Sequence, residues 1–205
     1  MTRKRKRHPI RVLVILVILA VCAYGVYSYW PEIQSALPPV SQASSAGGFD
    51  ISSDSVQYYF PRDGQQPEPV LVGIMNNATQ TLDVAIYSIT DQCIADAMIS
   101  TEKRGVKVRM ITDASESATS SQKALLATVK AAGIPIKINT HSGIMHLKVT
   151  IADDEIVTTG SFNYTKAAES TNDEVFVVLS DKAAAADFES QFTHMWDDLS
   201  RFEDY

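Results

Sequence analysis

The stretch HLKVTIADDEIVTTGSFN, residues 146–163, leaves this chain few options. From His146 to Ile151 polar and apolar residues alternate with period two, the mark of a strand with one face in a core. His146 and Lys148 then project from one face, about 7 Å apart, while Leu147, Val149 and Ile151 enter the core. Asp153, Asp154 and Glu155 make a turn, which Asp153 fixes with its side chain, and residues 156–159 return as a second strand. That strand delivers Gly160-Ser161-Phe162-Asn163, where Gly160 permits close backbone approach and Ser161 and Asn163 point the same way. A short helical segment follows over residues 164–169, and the strand over residues 173–179 opens with Glu174.

The chain before this hairpin alternates as an α/β domain. A short strand ends at Pro61, and residues 69–79 carry Val70, Leu71, Ile74, Met75 and Ala78 at helical spacing. Residues 81–89 read as a strand, and Thr90 or Asp91 caps a helix that runs to about Arg104 and stops at Gly105. A strand over residues 106–112, a helix over 117–132 and an edge strand around Pro135 follow. The segment 181–202 reads as one acidic amphipathic helix, with Phe188, Phe192, Met195, Trp196 and Leu199 on its core face. No internal repeat is visible.

Upstream of residue 54 the character changes. Residues 1–11 carry six basic groups and no acid, and residues 12–30 are apolar, about 28 Å of helix. Tyr24, Tyr27, Tyr29 and Trp30 gather at the far end like an interfacial belt, which favours a retained membrane anchor. The positive-inside rule puts the basic end in the cytoplasm and the remainder outside it. Cleavage near Ala23, giving a secreted or periplasmic protein, is the alternative. Residues 31–53, rich in Pro, Ser, Ala and Gly, read as a flexible linker, so the folded domain is residues 54–205.

Charge is unevenly placed. Of 18 basic and 24 acidic side chains, six basic ones lie in residues 1–11, so the rest of the chain is net −12. Residues 103–148 nevertheless hold eight basic groups against Asp113 and Glu116, either a groove for an anionic substrate or ordinary solvated faces. Cys93 alone remains for the folded domain, so no intrachain disulfide or cysteine metal site is expected there, and it reads as a small buried hydrophobe.

A histidine, a lysine, a hydroxyl and an amide on one face suit a phosphodiester. Lys148, Ser161 and Asn163 can hold non-bridging oxygens, and a neutral His146 imidazole can attack phosphorus if a carboxylate fixes its other nitrogen. Glu174 is the candidate carboxylate. No cluster of acids with histidine suggests a two-metal hydrolase, so metal-independent chemistry without a cofactor is the simpler expectation. The spacing H-x-K-x4-D-x6-G-S-x-N arises by chance on the order of once in 10⁷ to 10⁸ starting points at average residue usage.

The pattern resembles the HKD motif of the phospholipase D superfamily, here His146, Lys148 and Asp153 followed by Gly160, Ser161 and Asn163. With one motif in a small chain, it is most similar to the Nuc-type bacterial endonucleases over roughly residues 56–200. The resemblance implies a mixed β-sheet sandwiched between helices and a phosphodiesterase acting through a phosphohistidine on His146. Lys148 and Asn163 would bind phosphate, Ser161 would support them, and Glu174 would orient the histidine. Two motif histidines are needed per site in that family, so a homodimer sharing one active site is implied; His141, five residues upstream, is the in-chain alternative. Nucleic acid is the expected substrate and phospholipid head groups the runner-up, with an idle, membrane-held interaction module as a third reading.

Overall fold

The computed structural model describes residues 55–205. The basic start, the anchor or signal segment and the linker expected over residues 1–53 lie outside them. Among the described residues no helix is long and apolar enough to cross a membrane.

The elements run β1 (Val56–Tyr59), a 3-10 turn (Pro61–Asp63), α1 (Pro67–Asn77), β2 (Thr81–Ile86), α2 (Gln92–Lys103), β3 (Lys107–Thr112), α3 (Ala114–Ser117) and α4 (Ser120–Ala131). They continue with β4 (Ile136–Asn139), β5 (Lys148–Ala152), β6 (Ile156–Gly160), α5 (Lys166–Ser170), β7 (Phe176–Leu179), α6 (Lys182–Asp197) and β8 (Phe202–Asp204). The strands form one eight-stranded sheet in the order β1-β7-β6-β5-β2-β3-β4-β8. β2, β3 and β4 are parallel, as helical crossovers require, and the remaining pairs are antiparallel. The expected mixed sheet between helices is therefore present.

Strand alternation divides the core in two. On one face Leu82, Val84 and Ile86 of β2 pack with Leu71 and Met75 of α1, Ile94 and Met98 of α2, and Leu126 and Val129 of α4. On the other, Ala85, Val149, Ile151 and Val157 pack beneath α6 through Ala184, Phe192 and Met195. Arg109 of β3 fastens α6 down: its guanidinium binds Asp83 at 2.6 and 2.8 Å and Glu189 at 2.8 Å, 5.0 Å from the Phe192 ring centre.

Several expectations need correction. The helix expected over 117–132 runs from Ser120 to Ala131, and a short separate helix, α3, capped by Asp113, precedes it unforeseen. The closing helix stops at Asp197: Asp198 accepts from the Ser200 and Arg201 amides, and the reversed chain forms β8 beside β4. The strand after Pro135 is consequently not an edge. Cys93 is exposed at the start of α2, not buried, because Ile94, Ala95 and Met98 take the core face. In the basic middle segment Lys137 and Lys148 are buried and Arg109 is half-buried on Asp83 and Glu189, whereas Lys103, Arg104, Lys107, Lys123 and Lys130 are exposed.

The β5–β6 hairpin is tied to the sheet centre by Asp153. Asp153 and Asp154 both adopt positive φ, as a tight turn between twisted strands requires. The Asp153 carboxylate accepts from the amides of Thr79 at 2.8 Å, Gln80 at 2.7 Å and Thr81 at 3.0 Å, and from the Thr79 hydroxyl at 2.9 Å. Burial pushes its pKa up, but these donors outweigh burial and hold the group below the usual carboxylate range. Asp153→Ala is expected to cost about 3 kcal/mol in urea unfolding, since three charge-assisted backbone bonds lose their acceptor. Because the folded pKa is depressed, this contribution is present above about pH 4 and is lost as pH falls through the folded value; the Ala variant should lack that acid dependence.

Candidate active site

The site lies at the carboxyl ends of the parallel strands, where open α/β sheets gather ligands. β2 and β3 are in register to Ile86 and Thr112, so Tyr87 and Asp113 emerge side by side. The segment 140–147 crosses above them. Asp113 accepts the Met145 amide at 2.9 Å, and the Tyr87 amide donates to the Leu147 carbonyl at 2.8 Å. His146 thus sits between two pinned neighbours, on backbone that precedes β5 rather than within a strand. Leu147 is 39% exposed, contrary to its expected place in the core, because regular pairing with β2 starts only at Lys148.

Lys148 is 5% exposed. Its ammonium donates to the His146 carbonyl at 3.0 Å and lies 4.9 Å from the centre of the Tyr87 ring. Among the described residues it has no salt-bridge partner. Burial pushes its pKa down, and Glu174 acts in the opposite sense from a distance. His146 is exposed and sets its ring against the edge of Tyr87, 4.7 Å between centroids at 62°.

The second half of the site follows from packing. Phe162 and Tyr164 are buried, and Tyr164 is bound through its amide to Ser88 and through its carbonyl to Thr90 and Asp91. That alternation turns Ser161 and Asn163 the other way. The Tyr164 phenol, buried against Thr150 at 2.6 Å, is pushed up to about 12 by burial and stays neutral. Gly160 has φ 130°, and a Cβ there would lie 2.1 Å from the Val175 carbonyl oxygen. Ser161 uses this close approach: its amide donates to Val175, and its hydroxyl donates to Glu174 at 2.5 Å and accepts from the Val175 amide at 3.1 Å. Asn163 keeps its side-chain oxygen buried with no hydrogen-bond partner.

The structure therefore joins His146 to Lys148 and Ser161 to Glu174. It does not join Glu174 to His146 by a hydrogen bond; the carboxylate's partners are Ser161 and Asn172. His141 packs against Phe202 and lines, with His146, Ile144, Leu147 and Arg201, a cavity of about 320 Å³. Among the described residues, Glu68, Asp91 and Cys93 could converge on a metal ion, but the Lys166 ammonium already pairs with Glu68 and, at 2.9 Å, with Asp91. Tyr87 and Asp113, which touch the segment around His146, have no motif to announce them. The signal was their place, one residue beyond the ends of adjacent strands.

With this geometry established, the comparisons are decisive. The family described as "Cardiolipin synthase, PLD-like domain" matches residues 71–196. The chain belongs to the phospholipase D superfamily. Nuc from Salmonella typhimurium, described as a phospholipase D family member, superimposes with a TM-score of 0.68 at 30% identity, covering 74% of this chain and 97% of that one. NucT from Helicobacter pylori gives 0.63 at 27% identity, covering 69% and 95%. A mitochondrial cardiolipin hydrolase of Chlamydomonas reinhardtii is 35% identical over 123 residues, 60% of this chain and 54% of that protein. A phospholipase D of Rickettsia typhi is 34% identical over 118 residues, 58% and 57% respectively. The chain spans about half the length of such curated relatives.

Gly160→Ala tests the close approach. It should destabilise the fold by more than about 2 kcal/mol in denaturant titration, since both the positive φ and the carbonyl contact resist a Cβ. A cost below about 0.5 kcal/mol would contradict the geometry.

Proposed function

We propose that this chain is a phosphodiesterase that works through a phosphohistidine on His146. The observation that carries the proposal is Lys148, a buried ammonium with no salt-bridging carboxylate among the described residues. Burying an unpaired charge is costly, and an anion entering beside it supplies the absent counter-charge. Asn163, with an amide whose oxygen is unpartnered, and Ser161 lie on the return arm of the same hairpin and complete a cradle for non-bridging phosphoryl oxygens.

One His146 nitrogen attacks phosphorus and the leaving oxygen departs with a proton from a second histidine. Water, deprotonated by that second histidine, then attacks the phosphohistidine and frees His146. The chain has one motif, so the second histidine is assigned to His146 of another copy. The exposed apolar residues Ile144 and Leu147, 53% and 39% accessible, flank His146 where that copy would meet it. Glu174 would orient the ring by exchanging its contact with Asn172 or Ser161. No metal is required by this scheme.

The substrate favoured here is nucleic acid, on the likeness to Nuc along nearly that protein's whole length. The second reading, a phospholipid head group, is favoured by the likeness to a cardiolipin hydrolase and to phospholipases D. An anchor over residues 12–30 would hold the domain at the membrane outside the cytoplasm; cleavage near Ala23 would release it.

Plasmid nicking and release of choline or ethanolamine from vesicles, both in EDTA, separate the two substrates. His146→Ala should reduce whichever activity is present by at least about a thousandfold, and Lys148→Met by about a hundredfold or more. An alanine variant as active as the wild type would leave only an interaction module on this fold. Mixing wild-type and His146→Ala protomers should lower activity as the square of the wild-type fraction. A linear fall, or an active monomer in sedimentation, refutes the shared site.

A further inference from the structure

Both active members of the motif touch one ring that lies outside it. Lys148 places its ammonium 4.9 Å from the centre of Tyr87, and His146 sets its imidazole edge-to-face on the same ring at 4.7 Å. The ring is itself firmly based: the Tyr87 amide binds the Leu147 carbonyl at 2.8 Å, and its carbonyl receives the Thr112 hydroxyl at 3.4 Å. We propose that Tyr87 is a positioning residue of the phosphodiester site, whose aromatic face keeps Lys148 protonated and aimed while its edge contact fixes the His146 ring.

The physical reason lies in what a phosphate-binding lysine needs while the site is empty. A buried ammonium without stabilisation sheds its proton. A carboxylate would prevent this, but it would also occupy the ammonium and repel the incoming phosphate. An aromatic face offers negative potential without net charge, so it holds the cation and does not compete with an anion. Of the charged groups near Lys148, Glu174 favours the protonated form and burial opposes it. Glu116 and Asp113 act instead on the Tyr87 phenol: burial, then these two acids, push its pKa up, so the ring remains a neutral phenol. His146 contributes its carbonyl to the ammonium. The ring is thus a contact shared by the proposed nucleophile and phosphate binder.

This inference rests on the phosphodiesterase reading for its activity readout, and a second readout keeps the two separable. In the full chain, Tyr87→Phe, Tyr87→Leu and Tyr87→Trp are compared by NMR titration of 13C-labelled lysine and by kcat/KM against pH on bis(4-nitrophenyl) phosphate. Tyr87→Phe retains a ring face and should leave the Lys148 titration within about 0.3 pH unit of wild type. Tyr87→Leu should lower it by about half to one unit, with the alkaline limb of kcat/KM moving to lower pH by the same amount, because a weaker cation loses its proton earlier. A leucine variant whose Lys148 titrates like wild type overturns the proposal, as does a phenylalanine variant that falls equally far. If the leucine variant does not fold, Tyr87→Trp decides: its larger face should hold the titration at or above the wild-type value, and a drop overturns the proposal. Should the wild type cleave no phosphodiester while the titrations move as stated, the phosphodiesterase reading fails and the role of Tyr87 in holding Lys148 stands.

Discussion

The hold of Asp153 on the backbone amides of Thr79, Gln80 and Thr81 is the constraint from which the rest of the site follows. It ties the turn of the β5–β6 hairpin to the entry of β2, so that strand pairing runs in register from Ala152 opposite Leu82 to Lys148 opposite Ile86. The far end of the hairpin, where Lys148 and Ser161 stand, is thereby set relative to Tyr87 and Asp113. The acid of the motif works five residues along the chain from the lysine, roughly 16 Å of extended strand. Its importance is one of register, since a slip of one residue would exchange the faces of Lys148 and Val149.

Much of this was legible because two periodicities were strong. Period-two alternation placed Lys148, Thr150 and Ala152 on one face and Val149 and Ile151 on the other, and the packing agrees. The parity of Asp153 assigned it to the turn, where its carboxylate holds the amides of Thr79, Gln80 and Thr81. Alternation misled at Leu147, because pairing ends at Lys148 and the preceding segment is governed by hydrogen bonds from Asp113 and Tyr87 that no local pattern encodes. The short helix before the expected middle helix and the turn after Asp197 likewise depend on side chains that bind nearby backbone, Asp113 and Asp198, whose competition with the helix is decided in three dimensions.

Charge was the least legible property. The eight basic residues between 103 and 148 do not share one environment: Lys137 and Lys148 are buried, Arg109 is half-buried against Asp83 and Glu189, and the other five are exposed. A sequence reports how many charges there are, not which of them solvent sees. At the candidate site Lys148 is marked by its burial and, among the described residues, by having no salt bridge.

The clamping of His146 on both sides separates two properties that usually travel together. Its ring meets solvent on one side and Tyr87 on the other, while the backbone of the residues that flank it is hydrogen-bonded to Asp113 and Tyr87, just beyond the ends of β3 and β2. Freeing that backbone requires breaking the bonds that the Met145 and Tyr87 amides make. A histidine held this way presents its ring to solvent from a point of attachment as firmly tied as the core.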